Sequence, residues 1–430
     1  MRKIFLTIIG LLAVGINSAQ QTPADKQTKN IIINNCFIHI GNGNTIKDGA
    51  VSFFDGKITY VGKSIILNDS LIGEPIIIDA NGKHLYPGFI AANSTLGLVE
   101  IDAVRSTRDV DELGDFLPHI RSLVAYNSES KIIESVRPNG VLIAQISPRG
   151  GIISGKSSIM QLDAWNWEDA AIKIDEGIHL NWPSPYLIDY RKRTLKKNKN
   201  YSESISSIND FFNESKVSNS KTKLNLPYEA MKGIYNGSET VYLHASYEKQ
   251  IVDGVSFLKT KKIKNIVLVH GEESESQIDF LKRYNIPVIL SKPHRLPRSE
   301  DLDPNYPYKL AKRLIDKGLL LSIDLVGSME RANTRNLPFF AGSFSAHGLD
   351  KEEALKLITL NAAKILKIEE NIGSIEVGKS ATLFLSEGDA LDMRTNKITH
   401  AYINGRKISL DTHQTKLWKR YSKKYKNQQY

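Results

Sequence analysis

The chain has 430 residues, of which 41% are hydrophobic and 24% charged, and its 57 basic and 47 acidic side chains give a formal net charge of +10. This composition excludes a disordered, collagen-like or disulfide-scaffolded protein, because it supplies enough apolar side chains for a large core and only one cysteine, Cys36. The length fits either two or three domains or a barrel with a small satellite domain.

Residues 1–19 have the pattern of a secretory signal peptide. A basic start precedes an apolar run over residues 4–16, and Ala19 is the expected last residue removed. A retained anchor is the alternative, because Asn17 is not the small residue preferred three positions before the cut. No later stretch is apolar for long enough to span a bilayer. We therefore expect a secreted or periplasmic protein without stable membrane insertion.

Short β-strand patterns occur near both ends of the chain. Residues 25–83 show short apolar runs separated by turn dipeptides such as Asp48-Gly49 and Asp55-Gly56. The same pattern returns in residues 371–412. The two pieces predict one small, discontinuous β-sandwich domain formed by both chain ends.

Between these pieces, residues 84–370 alternate short apolar runs with helical patterns, which predicts an α/β fold of the TIM-type (β/α)8 barrel. A further run, Ile159 to Leu162, is the candidate eighth strand, although too few residues precede it for a crossover helix. The other predicted strands are Tyr86 to Ala92, Val141 to Ile146, Ile178 to Trp182, Thr240 to His244, Asn265 to His270, Ile286 to Leu290 and Leu319 to Asp324.

Two basic segments lie apart from these patterns. Residues 191–226 predict a basic, polar, partly disordered insertion after the fourth strand, and residues 413–430 predict a basic tail. Aromatic residues interleave with the basic ones in the tail, so contact with a membrane or nucleic acid is the alternative to a solvated helix. Without the basic residues of the signal peptide and these segments the net charge is about −4. We therefore expect no nucleic-acid partner.

Residues 150–157, Gly-Gly-Ile-Ile-Ser-Gly-Lys-Ser, match the pattern of a phosphate-binding loop. That loop requires a helix directly after it, whose N-terminus points at the phosphates. The segment from Ser158 to Asp163 alternates like a strand instead. Nucleotide binding at Lys156 is therefore the minor alternative to a glycine-rich hairpin loop.

Three ionisable residues, His244, His270 and Asp324, end separate predicted barrel strands. They should converge on the face where barrel enzymes place their chemistry. Two imidazoles suit zinc, and a nearby carboxylate can take a proton from metal-bound water. Taken singly, a hydrogen-bonded structural role is the alternative for each histidine.

These residues, with the motifs around them, resemble the amidohydrolase superfamily, and most of all its imidazolonepropionase-like branch. The resemblance implies a metal-dependent barrel hydrolase that cleaves carbon–nitrogen bonds in small-molecule amides or cyclic amides. It also implies that His244 and His270 match the metal ligands of the fifth and sixth strands and that Asp324 matches the eighth-strand aspartate. The supporting motifs are Tyr86-Pro87-Gly88-Phe89-Ile90, Thr359-Leu360-Asn361-Ala362-Ala363 and Gly373-Ser374-Ile375-Glu376-Val377-Gly378-Lys379.

Three positions depart from the family pattern. Asn93 and Thr95 stand where relatives have paired histidines, and Asn181 stands where they have a bridging glutamate or modified lysine. Neutral oxygen donors bind zinc poorly, so we expect at most one divalent metal, which would be zinc. His179 lies two residues before Asn181 and on the same strand face. It is the expected third ligand beside the two strand-end histidines, with a core or supporting role as its alternative.

Two hypotheses about function follow. The first is an exported amidohydrolase-like enzyme in which Asp324 is the general base and His294, just past the seventh strand, contacts the substrate. The second is a catalytically degenerate homologue, a pseudoenzyme that acts as a binding subunit beside an active homologue or a second copy. The strand-end residues favour the first hypothesis, and Asn93, Thr95 and Asn181 favour the second.

Overall fold

The structure is a computed structural model and describes residues 22–65, 74–189, 191, 194–217, 224–327 and 329–426. The expected signal peptide lies outside the described residues. Within those ranges, no helix combines the length and the apolar character needed to cross a membrane.

Eighteen strands and a set of mostly short helices make up the described chain. The strands are β1 (Ile31–His39), β2 (Thr45–Phe54), β3 (Lys57–Lys63), β4 (Ile76–Asp79), β5 (His84–Pro87), β6 (Phe89–Ser94), β7 (Val141–Ile146), β8 (Ile153–Gln161), β9 (Ala171–Asn181), β10 (Tyr186–Asp189), β11 (Thr194–Lys197), β12 (Thr240–Ala245), β13 (Ile266–His270), β14 (Val288–Ser291), β15 (Leu321–Asp324), β16 (Leu383–Ser386), β17 (Ile398–Ile403) and β18 (Arg406–Lys407). The α-helices are α1 (Lys131–Val136), α2 (Trp167–Ala170), α3 (Tyr201–Val217), α4 (Leu226–Ala230), α5 (Lys232–Asn236), α6 (Glu248–Thr260), α7 (Ile278–Arg283), α8 (Tyr306–Asp316), α9 (Glu330–Asn333), α10 (Leu337–Ala346), α11 (Lys351–Lys356), α12 (Leu360–Leu366) and α13 (His413–Lys426).

A small sheet combines strands from both ends of the chain in the order β18-β17-β16-β5-β1-β2-β3, with β4 paired to β1. Antiparallel pairing of β16 with β5, at Phe384 and Tyr86, joins the two pieces. Apolar side chains on one face, among them Ile33, Val51 and Phe53, form a separate core. The small sheet therefore holds the two end segments of the chain together beside the barrel.

The second sheet is the predicted TIM-type barrel, with strand order β15-β14-β13-β12-β9-β8-β7-β6. One strand differs from the prediction. The candidate eighth strand is part of β8, which runs antiparallel to both β7 and β9. The short connection from β7 to β8 leaves no room for the crossover that a parallel strand needs, so a hairpin forms instead.

The barrel interior is filled below its open end. Apolar residues of neighbouring strands, including Ile143, Val267 and Ile289, pack together there. The buried Glu176 carboxylate accepts hydrogen bonds from Ser157 Oγ (2.6 Å) and Tyr242 Oη (2.7 Å). Burial raises the pKa of Glu176. Because this layer is packed and hydrogen-bonded, a substrate can enter only above it, at the carboxyl ends of the parallel strands.

The described part of the insertion, residues 194–217, contains strand β11 and helix α3. Helix α3 buries Ile208 and Phe212. Tyr201 Oη donates to Asp253 (2.7 Å) and accepts from Trp182 Nε1 (3.1 Å), which ties the helix to the barrel wall. The helical spacing of a few apolar residues was hidden by the serine and asparagine around them.

The basic tail forms helix α13, as the solvated-helix interpretation predicts. Its first backbone N–H, at His413, donates to Glu134 Oε1 at 2.6 Å. Trp418, Tyr421 and Tyr425 are exposed along it.

The glycine loop of residues 150–157 leads from β7 into strand β8 and not into a helix. Lys156 forms an ion pair with Glu239, and both side chains are largely buried. The structure therefore favours the hairpin interpretation over the nucleotide site.

We expect Lys156→Met to lower the free energy of unfolding by about 3 kcal/mol, because it leaves the Glu239 carboxylate buried without its partner. Urea unfolding measures this loss. Lys312→Met, which breaks the exposed pair with Asp316, is the matched control and should cost less than about 1 kcal/mol. Equal losses in the two variants, or ATP binding that depends on Lys156, would contradict the assignment.

Candidate active site

Imidazoles from three neighbouring strands form a row at the open end of the barrel. His179 Nδ1 lies 2.8 Å from His244 Nε2, and His244 Nδ1 lies 3.2 Å from His270 Nε2. Their strands β9, β12 and β13 are adjacent and parallel. Alternation along β9 and β12 places the side chains above the packed interior layer. The row is therefore a direct product of strand order and register.

Asp324 lies at the His270 end of this row. Its Oδ2 is 3.4 Å from His270 Nδ1 and accepts a hydrogen bond from Asn93 Nδ2 at 3.0 Å. The Asp324 side chain has no exposed surface, whereas 18% of the His270 side chain is exposed. The pair thus joins a buried, oriented carboxylate to an imidazole that solvent reaches.

Two of these residues have strained backbones. Asn93 has a φ of 50° and His270 a φ of 78°, both in the left-handed region. Asparagine and histidine tolerate this region better than most residues, but it still costs about 1 kcal/mol or more per position. Such strain is concentrated at functional sites, which supports a functional role for this end of the barrel.

Burial favours the neutral form of the two inner histidines. Burial lowers the pKa of His179 well below its ordinary value, and the positive charge of Arg149 lowers it further. Burial also lowers the pKa of His244 well below its ordinary value, with added contributions from the neighbouring charges. Each neutral ring donates one N–H and accepts at the other nitrogen, so the row can pass a proton along its length.

The three positions that depart from the family pattern are engaged by protein groups. Asn93 Oδ1 accepts from Arg149 Nη1 at 2.9 Å, and Thr95 Oγ1 donates to Glu330 Oε2 at 2.5 Å. Asn181 Nδ2 donates to the Gly151 carbonyl and to Ser154 Oγ, both at 2.9 Å. Their side chains therefore complete the walls of the site.

Sequence reasoning missed two charged residues of the site. Arg149 lies three positions after β7 ends, so the strand-end rule that selected His244 could have found it. Glu330 begins helix α9, beyond the last barrel strand, and accepts hydrogen bonds from Ser94 Oγ (2.7 Å) and the Thr95 backbone N–H (3.0 Å). No local pattern marks Glu330, because its partners belong to the first barrel strand.

The ring of His179 does not point where a third metal ligand would have to point. His179 faces Nε2 of His244, whereas His270 faces Nδ1, the other nitrogen of the same ring. One ion cannot contact all three rings in this arrangement. Among the described residues, no group of three or more histidine, cysteine, aspartate or glutamate side chains is arranged to hold a metal. This geometry assigns His179 to orienting His244.

The remaining residues also do not fit a resident divalent metal. His244 Nδ1 and His270 Nε2 are two neutral donors facing each other. The guanidinium of Arg149 is bonded to Asn93, so a positive charge already stands where the family pattern has its paired histidines. In a site of low dielectric a second cation would be repelled. We therefore derive no chemical step through a metal.

His294 lies away from this row. Its Nε2 is 2.9 Å from Ser343 Oγ, and its ring packs edge-on against Phe340. It lines a cavity of about 710 Å³ whose wall includes none of His244, His270 and Asp324. The loop after β14 carries His294 outward over helix α10. Contrary to the prediction, His294 therefore lies outside this site.

Comparisons with known proteins agree with the fold and the motifs. The family model "Amidohydrolase family" matches residues 229–408. The 5'-deoxyadenosine deaminase of Methanobrevibacter smithii is 23% identical over 378 residues, which are 80% of this chain and 81% of that protein. The imidazolonepropionase of Caldanaerobacter subterraneus subsp. tengcongensis is 32% identical over 125 residues, 29% of each chain. A solved amidohydrolase from Thermotoga maritima MSB8 has a TM-score of 0.76 at 24% identity, covering 88% of this chain and 99% of that one.

The family match over residues 229–408, the curated relatives and the solved structures all support an amidohydrolase superfamily member. This agreement confirms the resemblance drawn from the sequence and points to a hydrolase of carbon–nitrogen bonds. Superfamily members usually use a divalent metal, whereas Asn93, Thr95 and Asn181 are bonded to protein groups here.

We expect the protein to lose stability as the pH falls from about 7 to about 5. The folded-state pKa of His179 lies below its unfolded value of about 6.5, so the unfolded state binds more protons in this range. The stability contribution is complete above the unfolded pKa and decreases below it, by at most about 1.4 kcal/mol per pH unit for one group. Urea unfolding across this range should show a shallower slope in His179→Gln. His413→Gln, on the surface helix, is the control; an unchanged slope in His179→Gln would contradict the assignment.

Proposed function

We propose that the protein hydrolyses the carbon–nitrogen bond of an amide or cyclic amide at the open end of its barrel. The observation that carries this proposal is the pair of Asp324 and His270, oriented by Asn93 and open to solvent on the His270 side. The names of its relatives, a deaminase and imidazolonepropionases, support the same bond type.

In the proposed reaction the pair activates water. A water molecule beside His270 gives its proton to the Asp324 carboxylate, which is the general base of the pair. The oxygen then bonds to the carbonyl carbon. When the carbon–nitrogen bond breaks, the electron pair stays on nitrogen, and the proton passes to it from Asp324.

The expected divalent metal is not part of this sequence of steps. The proposal is that the site holds at most one such ion and that the chemistry does not depend on it, because the donor set around His244 and His270 is incomplete and a guanidinium lies beside it.

A second candidate function is supported by the engaged positions. Asn93, Thr95 and Asn181 hold other parts of the protein instead of a metal. A barrel with this arrangement could bind a small amide without cleaving it, as a subunit beside an active homologue or a second copy.

Assays on cyclic amides and N-acyl amino acids separate the two functions. We expect Asp324→Asn to reduce kcat by at least about 100-fold, because the pair loses its negative charge. Asp316→Asn changes an exposed carboxylate of helix α8 and is the matched control. Binding of a panel compound without turnover in the wild-type protein would favour the binding subunit and contradict hydrolysis.

We also propose that the protein is exported and cleaved after Ala19. Expression in a bacterial host with an intact secretion pathway should give a mature protein that starts at Gln20. N-terminal sequencing and intact mass of the periplasmic or secreted fraction measure this. An uncleaved chain in the membrane fraction would support the retained anchor instead.

A further inference from the structure

Arg149 brings a positive charge into the barrel mouth without a direct ion pair among the described residues. Its Nη1 donates to Asn93 Oδ1 (2.9 Å) and its Nη2 to the Asn93 carbonyl (2.7 Å). Longer contacts of 3.3 Å join Nη1 to the carbonyls of the two preceding residues. All these acceptors are neutral. Asp324 and Glu330 act on the guanidinium only at longer range, and each is hydrogen-bonded to other groups.

Part of this guanidinium has no protein acceptor. A guanidinium has five N–H donors, and the contacts of Arg149 use those of Nη1 and one of Nη2. The Nε–H and a second Nη2–H have no acceptor among the described residues. Nε and Nη2 form one edge of the group, and such an edge binds two oxygens of a single anion.

A cavity of about 490 Å³ lies against this residue. Its wall contains three arginines, Arg108, Arg149 and Arg331, but only two carboxylates, Asp102 and Glu330. Arg331 is 6% exposed and pairs with Asp102 at 2.6 Å, and its Nε has no partner within the described parts of the chain. The cavity wall therefore carries a formal net charge of +1 and has an unused, buried N–H donor at Arg331 Nε.

We propose that Arg149 is the resident cation of this site, taking the charge-stabilising role of a divalent metal, and that it binds an oxyanion of the substrate in the adjoining cavity. The inference rests on the proposed function for the identity of the reaction. Asn93 supports this proposal most directly. It stands where the family pattern has a metal-binding histidine, and here it binds a guanidinium instead.

In the proposed reaction Arg149 stabilises the charge that forms during hydrolysis, and Asn93 links it to Asp324. As the water oxygen bonds to the carbonyl carbon, the π electron pair moves onto the carbonyl oxygen, which becomes an oxyanion. Arg149 stabilises that charge with donors that are already oriented. When the carbonyl re-forms, the carbon–nitrogen bond breaks and the nitrogen takes the proton. Asn93 is a positioning residue, since its amide joins Arg149 to Asp324.

Equilibrium binding of methylphosphonate, a tetrahedral oxyanion, tests the site without any assay of activity. We expect Arg149→Gln to weaken binding at least about tenfold, and Arg149→Lys to weaken it less, because the charge remains while the two-donor edge is lost. Arg298→Gln is the matched control: Arg298 lines a different cavity and stacks on Tyr247. It should leave binding within about twofold. Thermal unfolding confirms that each variant folds.

Zinc analysis provides a second readout. We expect the wild-type protein, supplied with zinc and then dialysed, to retain far less than one equivalent, and its kcat/KM to be unchanged by a chelator. Near-stoichiometric zinc that is lost in His244→Ala and His270→Ala would overturn the inference.

The two proposals fail in different ways. Methylphosphonate binding that depends on Arg149, in a protein that hydrolyses no amide, would support the resident cation and reject the proposed function. Amide hydrolysis with methylphosphonate affinity unchanged in Arg149→Gln would reject the resident cation and leave the proposed function in place.

Discussion

The amide of Asn93 is the group on which the candidate site depends. Its carbonyl oxygen accepts from the Arg149 guanidinium, and its N–H donates to the Asp324 carboxylate. A buried cation and a buried anion each cost several kcal/mol when left without partners. One neutral side chain serves both and also links the first barrel strand to the eighth.

The fold was largely predictable because its signals are local. Short apolar runs and turn dipeptides identified the small sheet, and the order of runs identified the barrel. The direction of β8 was not predictable from its own residues, since parallel and antiparallel strands share the same alternation. Direction there is fixed by the short connection through Gly150 and Gly151. Helix α3 was not predicted because the many serine and asparagine residues around Ile208 and Phe212 obscure their helical spacing.

The site was predictable only as far as strand ends determine it. The ends of β12, β13 and β15 identified His244, His270 and Asp324, which the structure brings together. Ring orientation depends on packing that no sequence pattern records: His179 stacks on Tyr242 with centroids 4.8 Å apart, which turns its Nδ1 toward His244. Glu330 and the outward path of His294 depend on loops between distant elements, so local reasoning could not place them.

The neutral residues Asn93 and Asn181 and the single positive charge of Arg149 can be explained together by the balance of charge in the site. A divalent ion requires several negative or strongly donating ligands, and the pattern of the superfamily provides a carboxylate or modified lysine at the fourth strand. Here Asn181 is neutral at that position and is bonded to the Gly151 carbonyl. The resident positive charge is correspondingly that of a guanidinium, one unit instead of two. The loss of one negative ligand accompanies the loss of one unit of cationic charge, so the balance against Asp324 is kept, which a change at either position alone would not do.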